Sequence, residues 1–371
     1  MAVSADETRT YHRWQLWLGL GHLLLTGAYL VTLIASGASV ALRDALDAFA
    51  PRWWLALPLM LIVLGGGEVL LALPIRWLGG FWLPRRFGLS HQGLGSWLWD
   101  GFKAALIGGG LAVAVALPIW ALLRTTSSWW LWGAGIVFAG YALIALVAPI
   151  WLVPLFYRLS PLGEGELRSR LLRLAERAGV PAIGVWIADQ SRKSRTANAA
   201  LAGLGRTRRI LLFDTLVSKF RPDEIEAVLA HELGHHVHGD MWRGLVVQGT
   251  LTLVTFWILD HALGAASTAL PLKGPADLAA LPLWGLLTMC VTLTALPVMN
   301  GWSRHVEQRA DDFALALTED PESFVEAMER LAVLNLAERD PHFLKRWLLY
   351  SHPPIAQRVS RARQWTPRSA G

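Results

Sequence analysis

Apolar residues run nearly unbroken over six stretches of the chain, roughly residues 15–36, 54–75, 103–123, 129–153, 242–263 and 280–300. A helix needs about 20 apolar residues to cross the hydrocarbon core of a bilayer, and each stretch meets or nearly meets that length. The pattern therefore predicts six membrane-spanning helices. The fifth stretch carries Asp260, and the sixth contains Pro282 and Pro297, so their ends are blurred. Residues 1–14 are polar, and the run behind them is longer than the apolar core of a cleavable leader, which makes it a retained first span.

Between the fourth and fifth stretches the pattern changes. Residues 165–178 alternate at helical spacing and are closed by Gly179 and Pro181. Ile183 to Ile187 and Arg209 to Phe213 have strand composition, with Gly203 and Gly205 marking a turn between extended pieces. A helix is expected from near Pro222, where Asp223, Glu224 and Glu226 suit the positive end of its dipole; the pattern leaves open whether it runs on into the fifth span. The expected organisation is a membrane region at 1–153, an α/β part at 154–241, two further spans within 242–300, and a helical part at 301–371.

Composition supports the membrane reading. Of 371 residues, 54% are hydrophobic and only 17% charged, and many of the 20 tryptophans flank the apolar runs, where an amphipathic indole prefers the headgroup layer. The net charge of +6 resides in the connecting segments rather than in a nucleic-acid groove. With the N-terminus inside, Arg9, Arg13, Arg76, Arg85, Arg86 and Lys103 lie on the inner side, as do the Arg-rich segments 154–241 and 301–371. The positive-inside rule then places both termini in the cytoplasm, in the inner membrane if the source is bacterial. A single cysteine, Cys290, excludes an internal disulfide and a Cys-based metal cluster.

The chemistry is concentrated at His231-Glu232-Leu233-Gly234-His235, an H-E-x-x-H motif that a chain with 11 histidines rarely makes by chance. Residues four apart share a helix face, so both imidazoles reach one ion while Glu232, one step round, serves as the base for an attacking water. Two imidazoles and a carboxylate suit Zn2+. The third ligand should come from another helix. Ser303 to Leu317 offers Glu307 for the metal, with Asp311 four residues on to accept the second N–H of a ligand histidine. Around the motif, Val228, Leu229, Ala230 and Leu233 favour a buried catalytic helix over a solvated, His-rich helix end, although His236 and His238 follow directly.

Further patches then fall into order along the chain: Arg86-Phe87-Gly88-Leu89-Ser90 with Asp100 and Lys103, Pro154-Leu155-Phe156, Asn198-Ala199, residues 209–216, Ser303-Arg304 with Glu307 and Asp311, and Ser351-His352-Pro353-Pro354 with Arg358. In these the sequence resembles the integral-membrane zinc peptidases that include the type I CAAX prenyl proteases. The resemblance implies that His231, His235 and Glu307 bind one zinc ion, that Glu232 activates water and that Asp311 supports the site. It further implies that Asn198 holds the substrate backbone and that His352 with Arg358 stabilises substrate or oxyanion.

The implied fold is a predominantly α-helical multi-pass membrane protein, about six transmembrane helices around a water-filled chamber, with a gluzincin-like α+β zinc-peptidase domain. The eukaryotic pattern has seven spans, one more than counted here. The expected partners are the lipid bilayer and a peptide or protein substrate at the membrane, extended beside the strand at 209–213, and no nucleic acid. Three rivals are a stress-linked membrane quality-control metalloprotease, a catalytically dead scaffold, disfavoured because no expected catalytic position is lost, and, from another class, a metal transporter or sensor using the His-rich segment 231–238. The last needs ligands within the spans, where His22 and His261 are the clear histidines. His22 and Glu68 fit either a wet interior or a structural pair.

Overall fold

A computed structural model of the chain describes residues 5–203 and 208–367. Among these residues six helices are long and apolar enough to cross a membrane, and they coincide closely with the six predicted stretches. In order, α1 (Ala5–Ala35) is followed by the amphipathic α2 (Ala38–Phe49). Then come α3 (Trp53–Trp77), continued through a π-helical turn into α4 (Leu83–Arg86), α5 (Leu94–Thr125), and α6 (Trp129–Val147), continued through a second π-helical turn into α7 (Val153–Phe156). Leu24, Ile62, Leu70, Leu106 and Leu143 stand well exposed on these helices, as expected of side chains that meet lipid.

Glu68, Asp260 and His261 within the spans are paired, as suits ionisable groups where an unpaired charge is costly. Glu68 accepts from His22 at 3.0 Å, Thr26 at 3.2 Å and Arg76 at 2.8 Å. Asp260 accepts from the Trp129 indole at 2.6 Å, and His261 bonds the Trp257 carbonyl at 2.9 Å.

Past the fourth span the chain builds a small four-stranded sheet of order β1-β2-β4-β3 from β1 (Leu159–Pro161), β2 (Val185–Ala188), β3 (Ala199–Ala202) and β4 (Arg209–Phe213), with α8 (Glu166–Arg177) inserted after β1. Strands β2 and β4 are parallel, and β3 is antiparallel to β4. Gly203 takes a left-handed φ of 89° after β3; Gly205, its expected companion, lies outside the described residues.

The short α9 (Asp214–Lys219) leads to α10 (Pro222–Val237). Its start is fixed by Pro222 at the first position and by Glu224, whose carboxylate reaches back to the Arg221 N–H at 2.6 Å. It does not run on into the fifth span: Gly239 adopts φ +65° and breaks the helix before α11 (Asp240–Ala269).

The sixth span and the helix expected at 303–317 are one 38-residue element, α12 (Leu281–Thr318). Pro282 sits in its first turn, where no N–H is needed, and Pro297 lies inside it without ending it. After it come α13 (Pro321–Leu334), α14 (Phe343–Leu349) and α15 (Ile355–Arg363). The main buried core joins α8, the sheet, α10, the end of α12, α13 and α15, through residues such as Leu171, Leu212, Leu229, Ala314, Phe324 and Ala362.

Candidate metal centre

The site forms where α10 crosses α12. Gly234 permits the crossing: a Cβ built on it would lie 3.1 Å from the Ala310 Cα, 3.2 Å from the Ala310 carbonyl oxygen and 3.2 Å from the Phe313 Cβ. The close approach brings His231 and His235, one turn apart on α10, against Glu307 on α12. Overpacking of such a contact costs about 1–3 kcal/mol, relieved here by parting the two helices. Gly234→Val should therefore weaken zinc binding by about tenfold or more in a competition titration, and Gly234→Ala less so. Unchanged affinity in the Val variant would show that this spacing does not set the site.

The donors lie close enough together to share one small ion, with each Glu307 oxygen approaching one imidazole. His231 Nε2 lies 3.2 Å from His235 Nε2, Glu307 Oε2 lies 3.3 Å from His231 Nε2, and Glu307 Oε1 lies 3.5 Å from His235 Nε2. Bonds of about 2.0–2.1 Å at tetrahedral angles give donor separations of about 3.3–3.4 Å. The Nδ1 atoms are occupied elsewhere: His231 Nδ1 meets Asp311 Oδ1 at 2.8 Å and His235 Nδ1 meets Asp240 Oδ2 at 3.0 Å. Each carboxylate is placed to accept from Nδ1–H of its imidazole, an arrangement that would leave Nε2 free for a cation at the common point. Glu307 Oε2 is buried without a hydrogen-bond partner, as an oxygen reserved for a cation would be. Among the described residues these three form the one group of His, Cys, Asp and Glu side chains placed to hold a metal.

Electrostatics agree with a cation-binding site. Burial opposes charging of His231, yet Asp311 and Glu307 raise its pKa to about 9, so the carboxylates draw positive charge to this point. Burial also raises the Glu232 carboxyl, against the opposing pull of His231 and His235. A carboxyl held above its ordinary range is suited to taking up a proton near neutrality and returning it.

Asp240 was not singled out in the sequence. It sits at the first turn of α11, behind the Gly239 break, and is itself held by Arg309 at 2.5 Å. The available signal was an acid five residues after the second motif histidine, beyond a glycine able to turn the chain back. His236 and His238, by contrast, are not in the metal group. The His238 ring packs edge-on against Phe313.

A cavity of about 930 Å³ opens over the donors. Its lining includes Asn198, Glu232, His352, Arg358 and, from α1, His12 and Gln15. The exposed Asn198 precedes β3, and its side-chain oxygen accepts from the Ala199 N–H at 3.0 Å. His352 Nε2 approaches Glu307 Oε1 at 3.4 Å, with most of its side chain exposed to the cavity. Arg358 lies deeper. Its guanidinium makes two bonds to Asp311, at 2.8 and 2.5 Å, and comes within 3.4 Å of His231 Nδ1.

One expectation is corrected. The strand at 209–213, β4, is paired on both sides, by β2 and by β3, so no peptide can add to it. The outer strand on the cavity side is β3, whose Ala199 and Ala200 line the cavity.

A multi-pass helical frame with H-E-x-x-H on one helix and a carboxylate on a second defines a membrane-embedded metallopeptidase. Residues 161–366 match the model of peptidase family M48, and residues 3–158 match that of the CAAX prenyl protease N-terminal region, described as five membrane helices. The chain belongs to peptidase family M48, as a CAAX-prenyl-protease-like membrane metalloprotease. Within 3–158 the described residues contain four candidate spans, one fewer than that description.

The chain is 30% identical to the metalloprotease YhfN of Bacillus subtilis over 335 residues, covering 89% of this chain and 78% of the relative. It is 27% identical to CAAX prenyl protease 1 of Saccharomyces cerevisiae over 314 residues, covering 79% and 69%. The fold matches the crystal structure of S. mikatae Ste24p with a TM-score of 0.84 at 24% identity, covering 96% of this chain and 88% of that one.

Proposed function

We propose that the protein is a zinc endopeptidase that hydrolyses peptide bonds of membrane-associated proteins or peptides, with His231, His235 and Glu307 as the metal ligands. The observation that carries this reading is the set of three donor separations, 3.2, 3.3 and 3.5 Å, between atoms whose imidazole partners are fixed by Asp311 and Asp240. When bound, zinc supplies Lewis-acid chemistry and makes water a better nucleophile at neutral pH. Glu232 takes the proton of the attacking water and returns it to the leaving amine. Removal of metal with a chelator should abolish cleavage of a membrane-tethered peptide by the purified protein, and zinc should restore it; cleavage that survives complete removal of the metal would overturn the assignment.

The substrate backbone extends along the outer edge of β3, in the manner of strand addition, and Asn198 offers its amide to that backbone. His352, in the same cavity, donates to the oxyanion that develops at the scissile carbonyl. Loss of one such donor typically lowers turnover by about 10²–10³-fold without disturbing the ground state. His352→Ala should show that loss with zinc retained, and turnover equal to that of the unsubstituted protein would remove His352 from this role. Arg358 acts through Asp311 on His231 and is a positioning residue.

The relatives named CAAX prenyl proteases support substrates presented at the membrane. In the same reading, residues 1–153 and 242–300 form the membrane parts and 154–241 with 301–371 the peptidase parts. The Lys and Arg distribution supports a site and both termini on the cytoplasmic side, in the inner membrane if the source is bacterial. A reporter fused after Gly371 that is active only outside the cytoplasm would contradict that orientation.

A further inference from the structure

Helix α14 (Phe343–Leu349) has no buried residue. At 3.6 residues per turn, Phe343, Leu344, Trp347 and Leu348 share an arc of about 140°, and their exposures are 61%, 47%, 53% and 38%. A contiguous face of this kind on a single two-turn helix calls for a cover. Arg346 lies off that arc, and Lys345 turns to the catalytic cavity, where it pairs with Glu338.

The position of α14 indicates what covers it. Its backbone is tied to α12 by Asn300 Nδ2, which donates to the Leu348 carbonyl at 2.7 Å, and by Arg304 Nη1, which donates to the Arg346 and Tyr350 carbonyls at 3.0 and 2.6 Å. These residues mark where α12 passes from its apolar run to its polar end: Val298 is 74% exposed, and Trp302, Ser303 and Arg304 follow. At the same level Trp302 crosses Gly244 of α11, beside the exposed Trp242 and Val246. Tryptophan and arginine at a span end are the composition of the headgroup layer. Helix α14 is thus held beside the end of the apolar run of the sixth span.

We infer that α14 is an interfacial helix that lies in the plane of the bilayer, with Phe343, Leu344, Trp347 and Leu348 in the headgroup–acyl boundary and Arg304 and Arg346 near the lipid phosphates. The chain runs directly from α14 into Ser351-His352-Pro353-Pro354, which lines the cavity. Lipid contact therefore fixes the height of the cavity wall that carries His352.

Nitroxide labels at Leu344→Cys and Leu348→Cys, in a Cys290→Ser background and in phosphatidylcholine–phosphatidylglycerol nanodiscs, should be more accessible to oxygen than to a water-soluble nickel chelate. A label at Glu176→Cys on α8 should show the reverse. The unsubstituted protein provides an independent readout: a lipid with a photoreactive group on its acyl chain should leave adducts on the peptide spanning 343–349. Chelate access at 344 and 348 equal to that at 176, or a 343–349 peptide free of adducts while the spans are labelled, would overturn the inference. Either result would leave the face open to water or to a protein partner.

Discussion

Glu232→Gln is expected to retain about one zinc per chain and to lose about 10²–10⁴-fold in turnover. The amide keeps the size and much of the polarity of the carboxyl, so the packing of α10 against α12 is undisturbed. Glu232 is none of the three donors in the metal group, so the metal should stay. What disappears is the proton acceptor. Glu307→Ala should behave in the opposite way. It removes the one proposed ligand on α12, leaving two imidazoles on a single helix, and the purified protein should lose most of its metal. Metal analysis alongside single-turnover cleavage separates the two effects. Full zinc occupancy in Glu307→Ala would remove that residue from the ligand set, and unimpaired cleavage by Glu232→Gln would take it out of proton transfer. The inactive, metal-loaded Glu232→Gln protein is also the form in which to trap and identify bound peptides.

Much of the site could be read from the chain because its spacing is local. His231 and His235 lie one turn apart, and Glu307 and Asp311 repeat that interval on a second helix, so two short windows contain most of the donor set. The structure adds the crossing that brings the windows together, and this depends on Gly234, whose role is visible only against Ala310 and Phe313. Asp240 escaped notice because its relation to His235 depends on the turn at Gly239. The hydropathy pattern marked hydrocarbon and not helix, which is why α1 begins at Ala5 and α12 ends at Thr318, beyond the apolar runs. The outer strand of the sheet is hidden in the sequence for a related reason. β4 reads as a strand by composition, whereas Ala199–Ala202 has little strand propensity of its own and is extended because it pairs with β4.

Sequence does not distinguish an arginine that faces a substrate from one that backs a ligand, and the second is the role proposed for Arg358. Its side chain is 10% exposed and that of Asp311 7% exposed, and the two bonds between them form a bidentate pair. Breaking a buried pair by removing one partner costs about 3–5 kcal/mol, because the remaining charge has been taken out of water. Arg358→Ala should therefore lower thermal stability substantially. It should also weaken zinc binding by about 10–100-fold, since Asp311 would no longer be held against His231 Nδ1. Arg358→Lys should fall between, retaining the charge but not the fork. Replacing both partners, Arg358→Met with Asp311→Leu, should recover much of the stability while the zinc affinity stays low, because His231 still lacks its acceptor. Differential scanning measurements paired with zinc competition titrations read the two quantities separately. Should Arg358→Ala instead keep both its stability and its zinc affinity and cleave slowly, the guanidinium would act on the substrate, as the sequence resemblance implies.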